Sequence, residues 1–110
     1  TSSATLGAGT TAYAATGMNE MSGTGYTAGG KALTSVTPTL DSTTACCDFD
    51  DISWTSATFI ANACLIYNDD ASGDPAVCAV AFGGDKAVSS GTFTIQFPAK
   101  AATTAIVRIA

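Results

Sequence analysis

From Lys31 onward apolar and polar positions alternate, and a period of two predicts strands. The alternating runs fall at residues 31–38, 43–49, 57–67, 76–82, 91–97 and 104–109. Two of them are clearest. Phe93, Ile95 and Phe97 share one face of the fifth run, with Thr92, Thr94 and Gln96 on the other. In the third, Phe59, Ala61, Ala63, Leu65 and Tyr67 oppose Thr58, Ile60, Asn62, Cys64 and Ile66. Asp, Gly, Pro and Ser crowd the connections, as turns require, and Pro38 and Pro98 stand at strand ends.

Upstream the pattern changes. Residues 1–12 are Thr, Ser, Ala and Gly with one large aliphatic, Leu6. They predict an extended arm that needs something to hold it. Residues 12–21 suggest a short helical turn, weakened by Gly17. Around Tyr26 stand Gly23, Gly25, Gly29 and Gly30, a density that predicts a shaped connection rather than an active-site scaffold. The expected organisation is an N-terminal arm over residues 1–16 and a β-domain over 17–110. The expected fold is all-β: a single compact antiparallel β-sandwich, jelly-roll or Ig-like, with the arm extended.

Composition narrows the partners. Charged residues make up 12% of the 110 and apolar residues 46%. A free soluble domain carries about a quarter charged residues, so this surface suits a protein packed against neighbours. Net charge is −5, with Lys31, Lys86, Lys100 and Arg108 as the cations. No basic footprint exists to neutralise phosphates, which argues against nucleic acid. The same charge argues against an acidic membrane surface. No run of 18 apolar residues predicts a membrane span, and no segment has the basic-then-apolar pattern of a signal.

Catalysis finds no support. With no histidine in the chain, Ser-His and Cys-His arrangements are absent. Asn68, Asp70, Ser72 and Gly73 match the first half of a calcium loop, but Ala79 stands where the bidentate carboxylate belongs. An Asx- and Gly-rich hairpin turn accounts for the same residues. Asp48, Asp50 and Asp51 form a second acidic group, expected to be a solvated or inter-subunit corner. Trp54 beside it is expected to pack. The reading is therefore a non-enzyme with no cofactor and no metal.

Four cysteines stand at 46, 47, 64 and 78. A hairpin joining runs 57–67 and 76–82 about Ala71 places Cys64 opposite Cys78, a disulfide candidate. Two buried free thiols on small-residue strands remain the alternative. Cys46 and Cys47 are adjacent, so in a strand they point to opposite faces. Two ordinary half-buried thiols are the expected reading; the alternative puts one in the core and the other exposed, where a thiol at an assembly contact can link subunits.

Several blocks together resemble a known family. They are Asn19, Glu20 and Ser22 through Tyr26-Thr27, with Gly29, Gly30 and Leu33; Phe49-Asp50-Asp51-Ile52-Ser53-Trp54; Ala63 through Tyr67; Phe82-Gly83-Gly84-Asp85; Gly91 through Phe97; and Ile106-Val107-Arg108-Ile109. In this order they resemble small tailed-bacteriophage virion structural proteins, a capsid decoration (cement) or tail-associated β-domain family. The likeness runs over about residues 17–110, while residues 1–16 depart from the pattern. It implies a compact β-fold assembled in host cytoplasm and located in the virion. The expected partners are the major capsid protein or other virion subunits, within a homo-oligomer, trimer or dimer. The assembly arm would be marked by Thr1, Leu6 and Tyr13. The competing expectation is a tail fibre, spike or baseplate module that binds a host receptor.

Overall fold

The computed structural model describes residues 1–110 and is all-β, with no helix. Its five strands are β1 (Ser35–Asp41), β2 (Thr44–Phe49), β3 (Ile52–Tyr67), β4 (Ala76–Ile95) and β5 (Val107–Ile109). β1-β2-β5 form an antiparallel three-stranded sheet, and β3-β4 form a two-stranded ribbon. The antiparallel all-β class expected from the sequence is thus the one found, in keeping with a β-sandwich. The chain divides into two compact units. Unit 1 comprises Thr1–Gly30 and Thr55–Gly91; unit 2 comprises Lys31–Trp54 and Thr92–Ala110.

In unit 2, β1 and β2 meet in a two-residue hairpin. Asp41 pairs with Thr44, and Ser42 takes φ 57°. A positive φ at the first turn position matches the right-handed twist of the flanking strands. The register slips between Val36 and Thr39, so Thr37 and Pro38 together face Cys47. Proline has no N–H to lose, and β1 is an edge strand, so the bulge falls where it costs least. Lys100 Nζ donates to the carbonyl of Thr37 within this bulge, at 2.6 Å. The buried side chains of unit 2 are Cys46, Asp48, Ile52 and Ala105.

In unit 1 the ribbon carries the core: Ala57, Phe59, Ala61 and Ile66 are buried. Alternation holds from Ala57 to Ala61. It then lapses through four half-buried positions and resumes at Ile66, one residue out of phase. The buried face therefore changes along β3, from that of Phe59 to that of Ile66. The glycine-rich connection lies against β3, where Thr58 N–H donates to the carbonyl of Thr24 at 3.0 Å. A Cβ on Gly23 would stand 2.5 Å from Thr58 O and 2.7 Å from Phe59 Cβ, so only glycine fits.

Three expectations are corrected. The runs 76–82 and 91–97 are not separate strands: β4 passes unbroken through Gly83 and Gly84. Both glycines have positive φ, 73° and 131°, so they read as a break but act as a kink within one strand. Its length gives β3 a partner further upstream, and β3 begins at Ile52 rather than 57. Residues 12–21 form no helical turn; Ala12 bridges to Pro75 instead. The outer strands are also displaced or shorter, with β1 beginning at Ser35 and β5 at Val107.

Candidate functional site

The three-stranded sheet of unit 2 has two unlike faces. Cross-strand partners share a face, so Thr39, Cys46 and Arg108 lie on one, along with Asp41 and Asp48. The chain covers this face itself. Ala102 N–H donates to Asp41 Oδ2 at 2.6 Å, and Arg108 donates to the Ala102 carbonyl at 3.2 Å. Thr104 Oγ1 donates to the Ala99 carbonyl and closes the covering turn. Beneath it Cys46 is fully buried and Asp48 is 3% exposed. Asp48 Oδ1 accepts the N–H of Phe49 at 2.9 Å.

The opposite face carries Leu40, Ala45 and Ile109 in one cross-strand row, with Cys47 and Val107 in the next. Phe49 continues it and packs against Phe97, ring centroids 5.7 Å apart. None of these side chains is charged. The Phe49 end is covered by Phe97, whereas Leu40 is 72% exposed and Ile109 70%. β1 and β5 are also the two edges of this sheet, so their outer backbone groups have no strand partner. An uncharged, exposed row between two free edges is a surface that water solvates poorly.

The acidic corner expected at 48–51 is split. Asp48 is buried, Asp50 is exposed, and Asp51 Oδ1 accepts the Phe97 N–H at 2.8 Å. Trp54 stands edge-on to Phe93 at 6.1 Å, as a packing residue does. The Asn68–Asp74 segment is a hairpin turn. Asn68 Oδ1 accepts the Asp70 N–H at 3.1 Å, and Asp74 N–H donates to the Ala71 carbonyl at 3.0 Å. Gly73 and Asp74 both have positive φ.

All four cysteines are free thiols. Cys46 is buried beneath the covered sheet face, which removes it from any subunit contact. Cys47 is half-exposed on the uncharged face. Cys64 and Cys78 are half-buried on the ribbon. Burial pushes the Cys64 thiol up to about 11, and the nearby Cys78 pushes it the same way. Burial also raises Cys78.

Unit 1 holds a cluster that sequence reasoning missed. Glu20 is the chain's only glutamate, and all three tyrosines gather around it or its neighbour Gly29. Tyr13 donates to Glu20 Oε2 at 2.9 Å; Tyr26 and the Gly29 N–H donate to Oε1 at 2.7 and 2.8 Å. Tyr67 donates to the Gly29 carbonyl at 2.7 Å. Tyr13 and Tyr67 also stack on each other. Burial, then the hydrogen bond to Glu20, raises Tyr13 to about 12, and the same causes raise Tyr26. Burial raises Tyr67 as well. Phenols held protonated on a carboxylate they already satisfy tie segments together. The signal was present as a lone Glu between two Tyr, but no spacing rule links residues 13, 20 and 26 to Tyr67.

The arm residues are placed by this cluster. Tyr13 belongs to it, and Thr11–Tyr13 pairs with Asp74–Ala76. Leu6 is half-buried, and Thr1 Oγ1 donates to the Asn19 carbonyl at 3.1 Å. No family model, curated protein sequence or solved structure matches this chain.

Proposed function

We propose that this chain is a structural protein of a tailed-phage virion, a capsid decoration or cement protein that binds and stabilises the outer shell. The observation that carries the reading is the exposed, uncharged row Leu40–Ala45–Ile109 between the free edges of β1 and β5. A solvated monomer gains nothing from such a face, and an interface does. The partner is uncharged where it meets this row, which suits a shell subunit or a second copy better than nucleic acid. The sparse charge of the whole chain, 12%, points the same way.

The receptor-binding alternative needs aromatic side chains free on loops. Here the tyrosine hydroxyls are spent on Glu20 and Gly29, and two of the rings on each other. That favours the cement reading. Mass spectrometry of purified virions tests it directly. The chain should be present in many copies, and particles lacking it should adsorb normally yet lose genome on mild heating. Absence from virions, or lost adsorption with unchanged particle stability, would reject it.

A further inference from the structure

The chain has three prolines, and one of them, Pro75, follows an aspartate. The Asp74–Pro75 bond closes the turn between β3 and β4. An aspartate carboxyl can reach its own carbonyl carbon through a five-membered ring. Proline supplies a ring nitrogen that leaves as a basic secondary amine. To this shared chemistry of Asp–Pro bonds the fold adds two features.

The first is backbone strain. The proline ring pushes the residue before it toward extended conformations. Asp74 nevertheless stands at φ 47°, in the left-handed region. Such a conformation persists where its surroundings over-determine it. Asp74 N–H donates to the Ala71 carbonyl at 3.0 Å, and Asn68 N–H to the Pro75 carbonyl at 2.9 Å. Ala76 N–H donates to the Thr11 carbonyl at 2.9 Å. The bond is thus held on both sides in a conformation that cleavage relieves. The second feature is Tyr13, whose N–H donates to the Asp74 carbonyl oxygen at 2.9 Å. That oxygen takes the negative charge when its carbon becomes tetrahedral, so the donor sits where charge develops. Asp74 is half-buried and Pro75 exposed, which leaves water access to the bond. The titratable groups facing Asp74 are Tyr13 from the N-terminal segment and Tyr67 from the end of β3. Burial raises both phenols, and the Asp74 charge adds to the effect. Glu20 and Asp69 are the other carboxylates nearby.

We infer that Asp74–Pro75 is an acid-promoted self-cleavage site, acting once per chain. An Asp74 carboxyl oxygen bonds to the Asp74 carbonyl carbon while the Tyr13 N–H holds the developing oxyanion. The carbon–nitrogen bond then breaks, and the carboxyl's proton goes to the Pro75 nitrogen. One water opens the resulting cyclic anhydride and leaves Asp74 with two carboxyls. The step needs no histidine, which the chain lacks. The cut parts β3 from β4 along the chain but leaves them paired in the ribbon. It takes place within a single chain and is separate from shell binding.

The test compares the full chain folded and unfolded in urea, both at about pH 5.5, by intact mass. The folded chain should yield residues 1–74 and 75–110, with masses summing to the parent plus one water. It should do so at least tenfold faster than the unfolded chain, a barrier lower by about 1.4 kcal/mol. Cleavage should slow at pH 7. Asp74→Asn tolerates the left-handed backbone but has no carboxyl, and should not cleave measurably. Asp69→Asn removes a neighbouring carboxylate outside the step and should cleave at the parent rate. Tyr13→Pro removes the N–H and, with unchanged circular dichroism, should be at least tenfold slower. Folded chain cleaved no faster than unfolded, or Asp74→Asn cleaved at the parent rate, would overturn the assignment, whether or not Tyr13→Pro folds.

Discussion

Tyr13 and Tyr67 stack with ring centroids 4.6 Å apart and planes 13° from parallel. The contact joins two positions far apart in sequence and is completed by hydrogen bonds, since Tyr13 donates to Glu20 and Tyr67 to Gly29. Glu20 accepts three donors in all. Removing it strands two part-buried phenols and a backbone N–H, and hydrogen bonds to a charged acceptor contribute more than neutral ones. Glu20→Ala should therefore destabilise unit 1 by about 2–3 kcal/mol, measured as a lower urea midpoint. Glu20→Gln keeps one carbonyl acceptor and should lose less. Equal, near-zero losses for both would mean the cluster contributes nothing.

The same cluster sets a pH limit. Tyr13 is raised to about 12 in the folded chain against an ordinary 10, so folding favours its protonated form. That stabilisation is complete below pH 10 and is lost progressively as pH rises from 10 through 12. Tyr26 and Tyr67 are raised too and act in the same direction. Urea midpoints should be flat between pH 7 and 9 and fall beyond 10, in a Cys64→Ser, Cys78→Ser background that removes the contributions of both raised thiols. A midpoint that is flat to pH 11.5 would contradict this.

Cys64 and Cys78 should bridge, but slowly. Attack on a disulfide needs thiolate, and with Cys64 raised to about 11 very little is present at pH 7. The bridging rate in oxidised glutathione should rise about tenfold per pH unit until pH approaches 11. Once formed, the bridge closes a loop of about 15 residues, worth roughly 3 kcal/mol in the entropic account. Peptide mapping that finds Cys78 joined elsewhere, or no bridge even at pH 10.5, would reject the pairing.

Gly23 gives a sharper packing test. Its missing side chain is required by backbone and Cβ atoms that cannot swing aside, Thr58 O and Phe59 Cβ. Gly23→Ala must push the 23–25 connection off β3, at a cost of about 1–3 kcal/mol. Gly7→Ala meets nothing and should stay within about 0.5 kcal/mol of the parent. Thermal melts of the two variants decide it, and similar shifts would show that the connection yields freely.

What the sequence made legible was what period and turn chemistry encode. Phe93, Ile95 and Phe97 do share the more buried phase of β4 and its continuation. The split of Cys46 from Cys47 follows from strand alternation, with Cys46 buried and Cys47 half-exposed. Gly83-Gly84 misled because two glycines with positive φ look the same in a turn and in a kinked strand; only the partner strand decides. Asp48 misled because burial depends on the 99–105 turn folding over its face, which no local pattern contains. The tyrosine cluster was hidden for a similar reason, since it joins an N-terminal loop, a glycine loop and the end of a hairpin.

The exposed row of unit 2 yields the most direct test of assembly. Leu40 and Ile109 are more than two-thirds exposed, so replacing them removes little buried area from the single chain. Leu40→Asp and Ile109→Asp should shift its stability by no more than about 0.5 kcal/mol. At an interface the same changes bury a carboxylate opposite apolar atoms, which is costly unless it is paired. The two carboxylates would also lie across Ala45 from each other, repelling within one row. Each single change should weaken binding to emptied shells, or self-association, at least tenfold, and the double change should abolish it. Circular dichroism must stay as in the parent for the comparison to count. Full occupancy on shells by a folded double variant would show that this face is not the contact.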